Sequence, residues 1–128
     1  MDEETGATPV QEFRRAEDFS SVYANNLQFE LSAWDLKMIF GELDQRGGKV
    51  AVDQHTSVTL SWLQAKLLNF FLEINLAVHE LEHGKIKIPK NLLPPVPAPP
   101  LGELADVPQA KPIFELITKM REEFIAGL

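Results

Sequence analysis

Cysteine is absent from this sequence, which excludes a disulfide framework and a thiolate metal site and leaves the redox compartment unmarked. Basic clusters are missing too. Apart from Arg14–Arg15, lysines and arginines stand singly, and the formal net charge is −7. A nucleic-acid surface needs clustered cations to neutralise phosphates, so no nucleic-acid partner is expected. No apolar run is long enough to span a bilayer: the longest is interrupted by Lys66, Asn69, Glu73 and Asn75, so no membrane partner is expected either. The opening MDEETGATP is acidic and polar, with neither a basic region nor an apolar core. No signal peptide and a cytoplasmic location are the expectation. A glycine-rich phosphate loop, a nucleophile elbow and a Ser-His-Asp order are likewise missing, and no cofactor is expected. Gly47-Gly48 lacks a following Lys-Ser/Thr and reads as a turn.

What is present centres on residues 56–84, the end of a strand running straight into one long apolar helix. Ser61 precedes the run and Gln64 follows three residues later, the spacing of a capping box. Gly84 ends it where a left-handed residue is wanted. At 100° per residue, Leu63, Leu67, Phe70, Phe71, Ile74, Val78 and Leu81 form one broad stripe. Ala65, Leu68, Leu72 and Leu76 form a second, nearly opposite, prolonged by His79 and His83. Narrow polar strips separate them: Lys66, Asn69, Glu73 and Glu80 on one side, Gln64, Asn75 and Glu82 on the other.

A helix on a protein surface needs one apolar face, and this one has two. Each large apolar side chain contributes roughly 1.5–3 kcal/mol on burial. Three exposed leucines would forfeit several kcal/mol, comparable to a small domain's whole stability. The first stripe is therefore expected on the protein's own sheet. The second (Ala65, Leu68, Leu72, Leu76, His79, His83) is expected at an interface, most simply with the same helix of a second copy, giving a homo-oligomer with a dimer favoured. The alternative is that the C-terminal segment folds back over it.

Before this helix, residues 1–18 are charged and are expected to be a mobile acidic tail. Leu27, Phe29 and Leu31 alternate with Asn26, Gln28 and Glu30, the period of a half-buried strand. Asn25-Asn26 reads as backbone bonding at a strand irregularity. Ser32-Ala33-Trp34-Asp35 supplies a turn. Residues 36–43 fit a strand or a short helix, and a break close behind favours the strand. After a loop at 44–48, Val50, Val52, Thr56, Val58 and Leu60 share one parity, a long strand leading into Ser61. Asp35, Glu42 and Asp44 read as turn and solvated-face residues.

Beyond Gly84, Ile86 and Ile88 alternate with lysines, a candidate edge strand. Residues 92–100, LLPPVPAPP, read as a polyproline II spacer, with recognition by a proline-reading domain as the other use of such a segment. From Pro112, Ile113, Ile117, Met120 and Phe124 recur at helical spacing. A helix there, with Lys111 as a poor cap, is marginal alone and is expected to order by docking on a protein partner or on its own domain.

YANNLQFELSAWDLKMIFGEL, a loop, and then TSVTLSWLQAKLLNFFLEINLAVHELEHGKI resemble an uncharacterised prokaryotic family known as domain of unknown function 3467. Tyr23 and Asn25, Phe40 and Gly41, Ala65 and Lys66, Asn75 and Gly84 occupy that family's recurrent positions, and the likeness covers residues 20–88. The resemblance implies a small strand-rich domain with a terminal helix. It brings no established activity and no catalytic residues.

His79-Glu80-Leu81-Glu82-His83 matches the H-E-x-x-H pattern of zinc hydrolases, in which two imidazoles four apart reach one metal and the glutamate activates water. Here the second histidine abuts Gly84, no third ligand follows in helical register, and the resembling family places an aromatic residue at position 83. Packing explains the pair more economically than ligation.

The expected architecture is α+β: an antiparallel three-stranded meander, one long helix packed on the sheet, a proline-rich linker and a C-terminal amphipathic helix. The expected domains are the 1–18 tail, a 19–89 core, a 90–110 linker and a 111–128 docking helix. The expected function is a non-enzymatic, self-associating interaction module, adaptor-like or chaperone-like. A zinc hydrolase built on His79, Glu80 and His83 is the alternative.

Overall fold

The computed structural model describes residues 9–128. Three strands form one antiparallel sheet in the order β1 (Asn26–Leu31), β2 (Asp35–Asp44), β3 (Ala51–Ser61), followed by α1 (Trp62–His83) and α2 (Ala110–Ala126). The α+β class and the meander followed by a long helix are as the sequence predicts, and 36–43 lie in a strand. Residues 1–8 of the expected tail lie outside the described residues. The chain divides into two compact units after Leu67, inside α1.

In the first unit the register makes the alternation two-faced. Leu27 pairs with Phe40 and through it with Thr56, Phe29 with Met38 and Val58, Leu31 with Leu36 and Leu60. Residues directly opposite share a face, so these nine form a three-by-three grid with no charged member. Gln28, Ile39 and Ser57, then Glu30, Lys37 and Thr59, form the polar reverse, where Lys37 Nζ lies 3.6 Å from Glu30 Oε1. Met38, at the grid's centre, is the one apolar residue counted as buried among those described, at 9% exposure.

Both turns are built by the polar groups the sequence offers. Ser32 Oγ accepts the backbone N–H groups of Trp34 (3.1 Å) and Asp35 (3.0 Å) and donates to Asp35 Oδ1 (3.0 Å). Asp44 accepts the N–H of Arg46 at 3.1 Å and holds its guanidinium at 3.0 Å. Gly47 and Gly48 follow with φ of 61° and 75°, values that a Cβ would oppose.

One expectation about β3 is corrected. Phe40 pairs with Thr56 but Gly41 with Gln54, so His55 is an extra residue, a β-bulge. Beyond it Val52 pairs with Leu43 and leaves the face of Thr56, Val58 and Leu60. Gly41 explains the bulge: a Cβ there would meet Asp53 O at 2.7 Å, Val52 Cγ1 at 2.8 Å and Gln54 Cα at 3.1 Å. The His55 ring bonds Tyr23 O through Nε2 at 2.9 Å and Thr56 Oγ1 through Nδ1 at 2.8 Å. Nε2 donates to the carbonyl, and in the neutral ring Nδ1 accepts from the hydroxyl. Asn25 Oδ1 accepts the N–H of Leu43 at 2.9 Å, and Asn25 N donates to Gly41 O at 3.0 Å. Asn25 thus satisfies backbone groups beside the bulge.

The helix begins as its cap predicts, with Gln64 N–H donating to Ser61 Oγ at 3.2 Å. It ends at Gly84, whose φ is 88° and whose N–H bonds Glu80 O at 2.9 Å, a left-handed C-terminal cap.

In the second unit, the candidate edge strand at Ile86–Ile88 does not form, because the N–H of Ile86 goes to the Glu80 carboxylate at 2.9 Å instead of to a neighbouring strand. Pro89 and Leu93 flank a short 3-10 turn with φ/ψ of −59°/149° and −64°/147°, polyproline II values. The proline segment is more than a spacer: Arg121 Nε of α2 donates to Pro94 O at 2.9 Å, and Lys85 Nζ donates to Gly127 O at 2.7 Å. These two bonds tie α2 to the segment that precedes it.

Candidate interaction surface

Strand β3 passes into α1 with no residue between, Ser61 closing one and Trp62 opening the other. Trp62 Nε1 donates to Ser32 O at 2.9 Å, which fixes the first helical turn against the β1–β2 turn at the end of the sheet. From there α1 carries no buried residue along its 22 positions. Along the first stripe, Leu63 is 69% exposed and Leu81 86%.

Along the second stripe, Ala65 and Leu68 are half-buried, while Leu72 and Leu76 are 51% and 52% exposed. The His79 and His83 rings lie 4.8 Å apart at 45°, on the last turn, where a helix favours cationic or polarisable groups. Among the described residues no group of three or more His, Asp or Glu converges on a metal position. Glu80, the residue the hydrolase motif needs as a base, has its carboxylate on the N–H of Ile86. Asn75 Nδ2, on the strip between the stripes, donates back to Phe71 O at 2.7 Å within the helix.

On α2, Ile113, Ile117, Met120 and Phe124 are exposed, and the half-buried stripe is Phe114, Thr118, Arg121 and Ile125. Residues of both stripes and the prolines line one open apolar groove of about 830 Å³, whose lining includes Pro97, Leu104, Ile113, Ile117 and Met120. Sequence periodicity located the exposed stripe but missed the proline wall facing it. Arg121 was the available signal, a cation able to reach a proline carbonyl that has no backbone partner.

The polar face of the sheet offers a shallower depression of about 340 Å³ around Glu30, Lys37, Gln54 and His55. Lys37 is paired with Glu30 and both His55 nitrogens are bonded, so the face holds no free nucleophile–base pair.

The fold and these surfaces describe a small α+β domain of the strand–strand–strand–helix type. The chain belongs to the family described as Protein of unknown function (DUF3467), whose model matches residues 1–88. That span takes in the sheet, all of α1 and Gly84, and stops before the proline segment and α2. No curated protein and no solved structure matches the chain. No helix of the described residues is long and apolar enough to cross a membrane.

Proposed function

We propose that the protein is a non-enzymatic interaction module that self-associates through α1, most simply as a dimer paired along Ala65, Leu68, Leu72, Leu76, His79 and His83. One observation carries the reading: α1 is apolar on two opposite sides and buries no residue along its 22 positions. With each large side chain stabilising by roughly 1.5–3 kcal/mol on burial, two facing copies of the Leu72–Leu76 region recover several kcal/mol. The histidines at the stripe's end suit an interface rim, large and partly polar. The stripe Ile113, Ile117, Met120 and Phe124 on α2 is a second surface of the same chemistry and offers a place for a protein partner. Adaptor and chaperone-like roles are both compatible with such a module.

Sizing of the Leu72→Glu variant beside the unaltered chain tests the reading. A charge placed in the apolar seam should shift the protein to monomer with its circular dichroism retained. A folded Leu72→Glu chain of unchanged size removes the seam from α1.

A further inference from the structure

The sheet has two outer strands, and one of them carries no guard against pairing. We infer that β3 pairs antiparallel with β3 of a second copy about a two-fold axis at Val58, joining the two sheets into one. The inference goes beyond the α1 seam and uses none of its residues; in a dimer both contacts lie on the one two-fold axis.

The ladder determines which backbone groups face outward. Ser32 N–H donates to Asp35 O at 3.0 Å and closes the β1–β2 turn. Bonded and non-bonded pairs alternate along an antiparallel ladder, so in β2 Lys37 and Ile39 bond β1, whereas Leu36, Met38 and Phe40 bond β3. The β3 partners of the latter, Leu60, Val58 and Thr56, point their N–H and C=O groups into the sheet. Ser57 and Thr59, between them, point theirs away from it. Among the described residues there is no fourth strand to receive these groups, and none of the elements after Ser61 is a strand.

Unpaired edges invite other chains, and proteins guard them with charge, proline or brevity. At the opposite edge, β1 has 6 residues and carries Glu30, ion-paired with Lys37. β3 has 11 residues. It contains no proline, and from Gln54 to Ser61 it contains no Asp, Glu, Lys or Arg. A long, uncharged edge is a template for strand addition.

The residues of that edge match themselves. The bulge at His55 ends the regular ladder on one side, and Ser61 ends it on the other, where its Oγ caps α1. Pairing centred on Val58 sets Ser57 against Thr59 of the second copy and Thr59 against Ser57, so the outward groups of both enter bonded pairs. On the polar face hydroxyl meets hydroxyl, a favourable cross-strand pair. On the apolar face Val58 meets Val58 and Thr56 meets Leu60, so the uncharged grid continues across the axis. A two-fold contact requires such self-complementarity, and its presence selects a second copy as the occupant.

Because the chain has no cysteine, a single thiol reports the axis without background. Opposed residues of a non-bonded pair lie about 4.5 Å apart at Cα, within disulfide range. Val58→Cys should therefore oxidise to a covalent dimer on a non-reducing denaturing gel. Thr59→Cys, whose counterpart lies beyond about 7 Å, should link about tenfold more slowly or less. Adding Thr59→Pro to Val58→Cys removes an outward N–H that β2 does not use, and should slow the link about tenfold with the circular dichroism retained. Should Val58→Cys disturb folding, Thr56→Cys in one tagged chain and Leu60→Cys in another repeat the test. A folded Val58→Cys protein that stays unlinked under oxidant overturns the pairing. So does a Thr59→Cys link that matches or outruns it, and so does a folded Thr59→Pro chain that links unimpaired.

Discussion

Replacing Gly41 with alanine tests the sheet's register through a conflict of two opposite effects. The φ of Gly41 is not positive, so alanine fits the backbone, and restricting the unfolded chain should stabilise by about 0.4–1 kcal/mol. Against this, the new Cβ falls 2.7 Å from Asp53 O, 2.8 Å from Val52 Cγ1 and 3.1 Å from Gln54 Cα. A carbon–oxygen contact normally relaxes to about 3.3 Å or more, so the overlap is about 0.6 Å. Two of the three atoms are backbone of the bulge and cannot swing aside as a side chain would. Forced overpacking costs about 1–3 kcal/mol, which outweighs the entropic gain and leaves a net loss of about 1–2 kcal/mol. For a chain of this size that lowers the Tm by roughly 3–10 °C. The assay is thermal unfolding followed by circular dichroism at one fixed protein concentration, since association would shift Tm by mass action. A Gly41→Ala protein as stable as the parent, or more so, would refute the pairing of Phe40 with Thr56 and Gly41 with Gln54.

Three further outcomes follow from individual contacts. Ser61→Ala removes the acceptor of the Gln64 N–H and should cost about 1 kcal/mol in urea unfolding, with Ser61→Thr largely restoring it. Arg121→Met leaves the Pro94 carbonyl without its donor; hydrogen exchange across α2 should speed up several-fold while the sheet is unaffected, and equal protection would mean the proline segment does not hold that helix. The purified protein should carry no stoichiometric zinc, whether unaltered or as His83→Ala. One equivalent of zinc lost on that substitution would revive the hydrolase reading.

Much of the fold was legible in the sequence because its signals are local. The alternation at 26–31, the Ser32 turn and the cap at Ser61 each act within a few residues of themselves, and each stands where expected. The bulge was not legible. Val52 and Val58 share parity along the chain, and the extra residue at His55 becomes visible only when β3 is laid against Gly41. A glycine inside an otherwise apolar strand was the available hint of close backbone approach. Periodicity shows likewise that each stripe of α1 is apolar and not what covers it. The proline segment was read by composition as a spacer, and its bond to Arg121 spans 27 positions that no local pattern connects.

The account stands on α1 needing a second chain, and light scattering of the unaltered protein across a wide concentration range tests this most directly. It predicts a molar mass near twice 14.4 kDa that holds on dilution well below micromolar levels. A steady 14.4 kDa at the highest concentrations reached, from a folded protein, would contradict it.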